Sequence, residues 1–134
     1  MDELTLEVVT PEKRILSETT DEVIVPGFRG LFGVRVGHAP LLSLMAPGVL
    51  SFRRGGTTHN FFVSGGFVRV AENRVLVLAD QAEAVSEIDV AAAQKRREQA
   101  EQKLKGMSPD DAQFERESAT VRTEAARMAA ATRR

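Results

Sequence analysis

The 134-residue chain has no cysteine, no tryptophan and no tyrosine, and only two histidines, His38 and His59. Without cysteine it can form neither a disulfide framework nor a thiolate nucleophile or metal ligand. That usage fits a reducing compartment. Neither histidine has a second His, Cys or acid at ligand spacing, so no metal site is expected. No stretch approaches the roughly 18 consecutive apolar residues that a membrane span needs. The acidic start Met1-Asp2-Glu3-Leu4 resembles neither a signal peptide nor an Arg-rich transit peptide, so the protein is expected to work where it is made, without inserting into a membrane. A surplus of positive charge is also missing. The net charge is −1, which argues against a dedicated nucleic-acid binder.

Catalytic motifs are equally scarce. There is no G-x-S-x-G elbow and no phosphate-binding P-loop. Ser64-Gly65-Gly66 leads into the strand-like run Phe67-Val68-Arg69-Val70 and not into a helix N-terminus, so it reads as a turn. Gly27-Phe28-Arg29-Gly30-Leu31-Phe32-Gly33 has the wrong spacing for dinucleotide binding and reads as a hairpin loop. Phe28 and Leu31 nonetheless stand where a loop tip would ordinarily be polar, which suggests a partner surface. His38, in Gly37-His38-Ala39-Pro40, reads as a hydrogen-bonded turn residue. The expectation is a non-catalytic protein without catalytic residues, cofactor or metal.

What the chain does contain changes near residue 86. All Phe except Phe114 and all Gly except Gly106 lie before residue 70. Short β-prone runs there are separated by Gly or Pro, or in the last case by Glu72-Asn73: Leu4–Val9, Val23–Val25, Phe32–Val36, Leu41–Met45, Val49–Phe52, Phe61–Val63, Phe67–Val70 and Val75–Leu78. Such spacing predicts an all-β sandwich or barrel. From Ser86 onward Ala, Gln, Glu, Lys and Arg predominate, and these favour helix. One helix is expected from Ile88-Asp89 to Lys105-Gly106, and a second from Ser108-Pro109-Asp110-Asp111 toward Thr132, with Ser108 as its cap. A short connection makes them antiparallel neighbours. Two units follow: residues 1–86, a β-sandwich, and residues 87–134, a helical hairpin.

The seam expected between the helices is poor. It runs through Val90, Ala93, Arg97, Ala100, Leu104 and Met107 on the first, and Phe114, Ser118, Val121, Ala125, Met128 and Thr132 on the second. A buried Leu replaced by Ala typically costs about 2–5 kcal/mol. A seam so rich in Ala should form but open easily. The second helix is acidic early and basic late, which partly matches the helix dipole. Arg116, Arg122 and Arg127 lie before its last turn and suit an acidic docking site.

The stretch Gly30-Leu31-Phe32-Gly33-Val34-Arg35-Val36-Gly37-His38-Ala39-Pro40-Leu41-Leu42, followed by Pro47-Gly48, resembles the signature of the F-type ATP synthase epsilon subunit. Ser64-Gly65-Gly66-Phe67-Val68 and Val75-Leu76-Val77-Leu78-Ala79-Asp80 match two further blocks, and the resemblance covers essentially the whole chain. It implies a β-sandwich of about ten short strands followed by an antiparallel two-helix hairpin. It implies a place on the rotating central stalk, peripheral to the cytoplasmic face of a bacterial inner membrane, against the gamma subunit and the ring of c subunits. The role implied is to couple ring rotation to the alpha/beta catalytic head and, through the opened hairpin, to inhibit ATP hydrolysis. Carried onto this sequence, Phe28, Arg29, Gly30 and Leu31 would meet the c ring, and His38, Ala39 and Pro40 the gamma subunit. Arg116, Arg122 and Arg127 would dock in the head. Two departures stand out. Leu31 occupies the place of an acid found in many relatives. Ile88, Asp89 and Ala93 match an ATP-binding motif of some relatives, but Ala92 replaces its Arg. A competing reading is a free-standing ligand-binding β-sandwich with a helical oligomerisation arm.

Overall fold

A computed structural model describes residues 3–133 of the chain. Met1-Asp2, part of the acidic N-terminus noted above, and Arg134 lie outside the described residues. Ten strands come first: β1 (Leu4–Val9), β2 (Arg14–Thr20), β3 (Glu22–Gly27), β4 (Gly30–Val34), β5 (Leu41–Met45), β6 (Gly48–Arg54), β7 (Thr57–Val63), β8 (Gly66–Ala71), β9 (Arg74–Ala79) and β10 (Ala82–Ala84). A single 3₁₀ turn, Val85–Glu87, leads to helices α1 (Val90–Leu104) and α2 (Phe114–Ala131).

Hydrogen bonding orders the strands β10-β7-β6-β3-β5-β8-β9-β1-β2, with β4 paired to β3. All pairs are antiparallel except β1 with β9. The sheet folds over until β2 approaches β6, where Arg54 Nη1 donates to Glu18 Oε2 at 2.6 Å. The expected sandwich is therefore present. Period-two alternation fills its interior with Leu4, Leu6 and Val8, Val23 and Val25, Val68 and Val70, and Val75 and Val77, all buried.

The strand-like runs of the sequence left out β2 and β10. In β2, Arg-Ile-Leu-Ser-Glu-Thr-Thr is mostly polar because the strand lies at the sheet edge, and β10 has only three residues. Val36, expected in a strand, lies exposed beyond the end of β4.

Two turns fix the register of the central strands. The β8–β9 hairpin turns through Glu72 and Asn73, both at positive φ, as a two-residue turn compatible with strand twist requires. At the start of β8, Gly66 has φ +127°, and a Cβ there would lie 2.0 Å from the Leu78 carbonyl oxygen. Only glycine fits so close to β9.

The first helix matches expectation: the Asp89 side chain caps it by accepting from Ala92 N at 3.0 Å. The second does not start where expected. Ser108 Oγ accepts from Asp110 N, and Asp111 Oδ1 accepts from Gln113 N at 2.8 Å. These local bonds hold residues 108–113 in turns, and the helix begins at Phe114 without a side-chain cap. The seam also differs in part. Ala93 and Ala100 are buried and Arg97 and Leu104 half-buried, but Val90 is exposed. On α2, Phe114, Ser118, Val121, Ala125 and Met128 are only half-buried and Thr132 is exposed, while Glu117, Glu124, Arg127, Ala130 and Ala131 are buried. The reason is that α2 touches α1 on one side and β6 with the 3₁₀ turn on another. A single heptad stripe describes only one of those faces.

A small second cluster joins hairpin to sandwich: Phe62, Val85, Ile88, Ala130 and Ala131, with Val49 and Ala126 against it. Phe61 and Val63 pack on the main core, so Phe62, between them on β7, faces the helices.

Candidate functional site

Three surfaces carry the residues singled out by sequence. The first is the β3–β4 hairpin tip. Gly27 pairs with Gly30, leaving Phe28 and Arg29 at the turn, and Phe28 and Leu31 are 69% and 70% exposed. Phe28 N donates to Leu44 O at 2.9 Å, which docks the tip beside β5. Together with Leu42 and Leu44 the tip lines a shallow apolar hollow.

That hollow continues onto a flat apolar face. On β5, β8 and β9, the residues opposite the core are Leu42 and Leu44, Phe67 and Arg69, and Leu76 and Leu78. Register sets them in two rows across the strands: Leu44–Phe67–Leu78 and Leu42–Arg69–Leu76. Leu42, Leu44, Phe67 and Leu78 are all exposed. A contiguous apolar face on a sheet already filled on its other side marks an interaction surface. Sequence reasoning read these runs as strands of the sandwich and did not single out their outer face. The signal was present: each of β5, β8 and β9 carries apolar residues at both odd and even positions.

The second surface is the turn Gly37–Pro40, which enters β5. Gly37, at φ +87°, donates its N–H to Asn73 Oδ1 at 2.7 Å, so the β8–β9 turn holds it in place. His38 is half-buried and its Nδ1 lies 2.6 Å from the Ala39 carbonyl oxygen, a contact that requires the proton on Nδ1. Ala39 and Pro40 are exposed. Nearby, Glu22 accepts from Arg35 Nε at 2.8 Å and Arg53 Nη1 at 3.3 Å. The hydrogen bond from Arg35, helped by the charges of Arg35 and Arg53 and opposed by desolvation, holds its carboxyl below the usual range.

The third surface is the hairpin junction. Ile88 is buried in the second cluster, Asp89 caps α1, and Ala93 is buried on α1, so the residues matching a nucleotide motif hold structural places here. Ala92 offers only a methyl group. Arg116 is exposed on the first turn of α2, and Arg122, also exposed, donates to Glu115 at 2.7 Å. Arg127 differs from both. It is buried, and its guanidinium carbon lies 4.6 Å from the centroid of the Phe62 ring. It donates to Glu83 on β10, to Gln81, and to both oxygens of Glu124 at 3.2 and 3.4 Å. Arg96 of α1 donates to the same Glu124 at 2.9 Å. Beside this network lies a cavity of about 570 Å³, lined by Ser64, Asp80, Thr120 and Thr123 among others. No sequence signal paired residue 83 with residue 127, because only the fold brings β10 under α2. Among the described residues no cluster of His, Cys, Asp and Glu is placed to hold a metal ion.

Comparison with known proteins adds three findings. Residues 3–85 match the family described as ATP synthase, delta/epsilon chain, beta-sandwich domain. The chain is 60% identical over 131 residues to the ATP synthase epsilon chain of Myxococcus xanthus, covering 98% of this chain and 96% of that one. It is 50% identical over 130 residues to that of Anaeromyxobacter sp. (strain K), covering 97% and 98% respectively. Among solved structures, it superposes with a TM-score of 0.80 and 27% identity on a chain of the Euglena gracilis mitochondrial ATP synthase, OSCP/F1/c-ring in rotational state 1, over 96% of this chain and 81% of that one.

Proposed function

The chain belongs to the ATP synthase delta/epsilon chain family, and from that membership we propose that it is a non-catalytic rotor subunit of a proton-translocating F-type ATP synthase. It sits on the central stalk, binds the gamma subunit and the c ring through the sandwich, and transmits ring rotation toward the catalytic head. The observation that carries this reading is the exposed apolar face Leu42, Leu44, Phe67 and Leu78, continuous with the Phe28–Leu31 tip. It gives a rigid sheet a seat for a permanent partner, and interface cores are rich in such residues and poor in charge.

The gamma subunit covers the two rows on β5, β8 and β9 together with His38, Ala39 and Pro40. The tip, with Phe28, Arg29, Gly30 and Leu31, meets the c ring by apolar area and the Arg29 cation, and needs no carboxylate at position 31. Among the described residues no helix is long and apolar enough to cross a membrane; in this reading the subunit is attached peripherally, on the cytoplasmic side of a bacterial inner membrane. The hairpin serves as a brake on ATP hydrolysis when it leaves the sandwich, with Arg116, Arg122 and Arg127 docking on acids of the alpha/beta head. The alternative, a free-standing binding module whose helices oligomerise, is disfavoured because α2 already buries its faces within its own chain.

Co-purification with the gamma subunit tests the seat. The unaltered chain should elute with gamma as a stoichiometric complex, and Phe67→Glu, a surface change that leaves the core intact, should weaken that complex at least tenfold. An unaltered complex would remove the β5–β8–β9 face from the interface.

A further inference from the structure

Little apolar area holds the hairpin to the sandwich. The apolar residues of α2 that cluster with Phe62, Val85, Ile88 and Val49 are Ala126, Ala130 and Ala131. Stabilisation by burial scales with area, at roughly 25 cal/mol per Å², and alanine methyls supply little of it. What stands amid these alanines is Arg127, with a side chain only 7% exposed. Nε is satisfied by Glu124 within α2, but Nη1 and Nη2 go to Glu83 and Gln81, both on the sandwich side. The Phe62 face covers the cation from below. Through Glu124, Arg96 of α1 joins the same network, so one line of charge-assisted contacts runs from α1 through α2 to β10.

We propose that Arg127 is a latch: this one guanidinium holds the closed hairpin on the sandwich, and the hairpin opens when Arg127 gives up Glu83. The latch is a property of the isolated chain, and only its consequence for ATP hydrolysis rests on the rotor reading. Its logic is exclusive. A guanidinium bonded to Glu83 and Gln81 cannot serve an acid elsewhere, so any partner carboxylate that takes Arg127 must displace Glu83. By linkage, whatever strengthens one of these engagements weakens the other to the same degree. The Glu83 side chain, 29% exposed, is the end of the pair that water reaches first. Glu83 and Gln81 rehydrate on opening, which keeps release reversible.

Hydrogen exchange of backbone amides in the whole isolated chain tests the latch. Glu83→Gln and Arg127→Gln should each raise exchange in α2 about tenfold or more, while β8 and β9 keep their protection. The double variant should exchange no faster than the faster single, because both remove the same bond. Unchanged α2 exchange in Glu83→Gln, or single effects that multiply in the double, would overturn the proposal. Should Arg127→Gln also expose β8 and β9, the decision passes to Glu83→Gln against Glu87→Gln, which alters a nearby exposed carboxylate. Acceleration by the first alone supports the latch, and equal effects refute it. Latch variants that open the hairpin yet leave hydrolysis by the assembled enzyme unaltered would count against the brake and not against the latch.

Discussion

At position 92 the chain has a methyl group where the ATP-binding motif suggested by the family resemblance calls for a guanidinium. Losing a charge-assisted hydrogen bond costs roughly 1.5–3 kcal/mol, or about ten- to a hundredfold in affinity. The arginines nearest the junction do not replace it: Arg96 is committed to Glu124 and Arg127 to Glu83 and Gln81. The adjoining cavity is lined by the carboxylates of Glu124 and Asp80 as well as by Arg96 and Arg127, so it offers phosphate no surplus of positive charge. Calorimetric titration with ATP and magnesium should therefore show no stoichiometric binding in the micromolar range, and a micromolar dissociation constant would refute this account. Glu22 gives a pH dependence of fixed sign. Its carboxyl, held by Arg35 below the ordinary value, loses its proton more readily in the folded than in the unfolded chain. Its contribution is thus present at neutral pH and disappears as acid takes the solution through the folded value. Glu22→Gln should lower the melting temperature near neutrality, and the gap from the unaltered protein should close in strong acid. A gap that persists or widens in acid would show that charge is not its source.

Among the elements, α1 depends on its first turn. Asp89 is its only side-chain cap, satisfying the Ala92 amide, and the helix has no acid within its first turn to add to that effect. Asp89→Ala should cost about 1 kcal/mol, visible as faster exchange of the first-turn amides with the sandwich amides unchanged. Unaltered first-turn exchange would mean that packing of Ala93 and Ile88, and not the cap, sets the start of α1. The second helix is the opposite case. It begins at Phe114 with no side-chain cap, after the Ser108–Gln113 turns. Its position is fixed by contacts along its length, with α1 on one side and Phe62 and Arg127's partners on another. On the latch proposal, α2 is therefore the helix whose release opens the hairpin.

For the whole molecule, the main core among the described residues draws on strand residues from Leu4 to Ala82, and none of them is helical. Residues 1–86 should therefore unfold cooperatively by themselves, at some cost in solubility because Phe62 and Val85 lose their cover. Removing residues 87–134 from the assembled enzyme should raise its ATP hydrolysis. With α2 at 18 residues and about 1.5 Å per residue, the opened helix would reach roughly 27 Å, enough to enter a domain-sized head. Hydrolysis that does not change on truncation would show that the hairpin is no brake in this enzyme.

The sequence by itself determined the all-β first part, the two helices and the absence of a catalytic motif. Those features rest on local signals: period-two alternation, Gly and Pro between strands, and a run of helix-forming residues after Ser86. Even the Asp89 cap is local, reaching three residues along the chain. The tertiary structure alone decided which side of β5, β8 and β9 is covered, because alternation of apolar residues on both faces leaves the choice open. It also decided the place of Arg127. Read along α2 it is one more exposed cation in a basic stripe; in the fold, β10 passes beneath it and supplies Glu83, 44 residues away. Pairing across such a separation follows from how the sheet closes and the hairpin folds back, and no local pattern of residues encodes it.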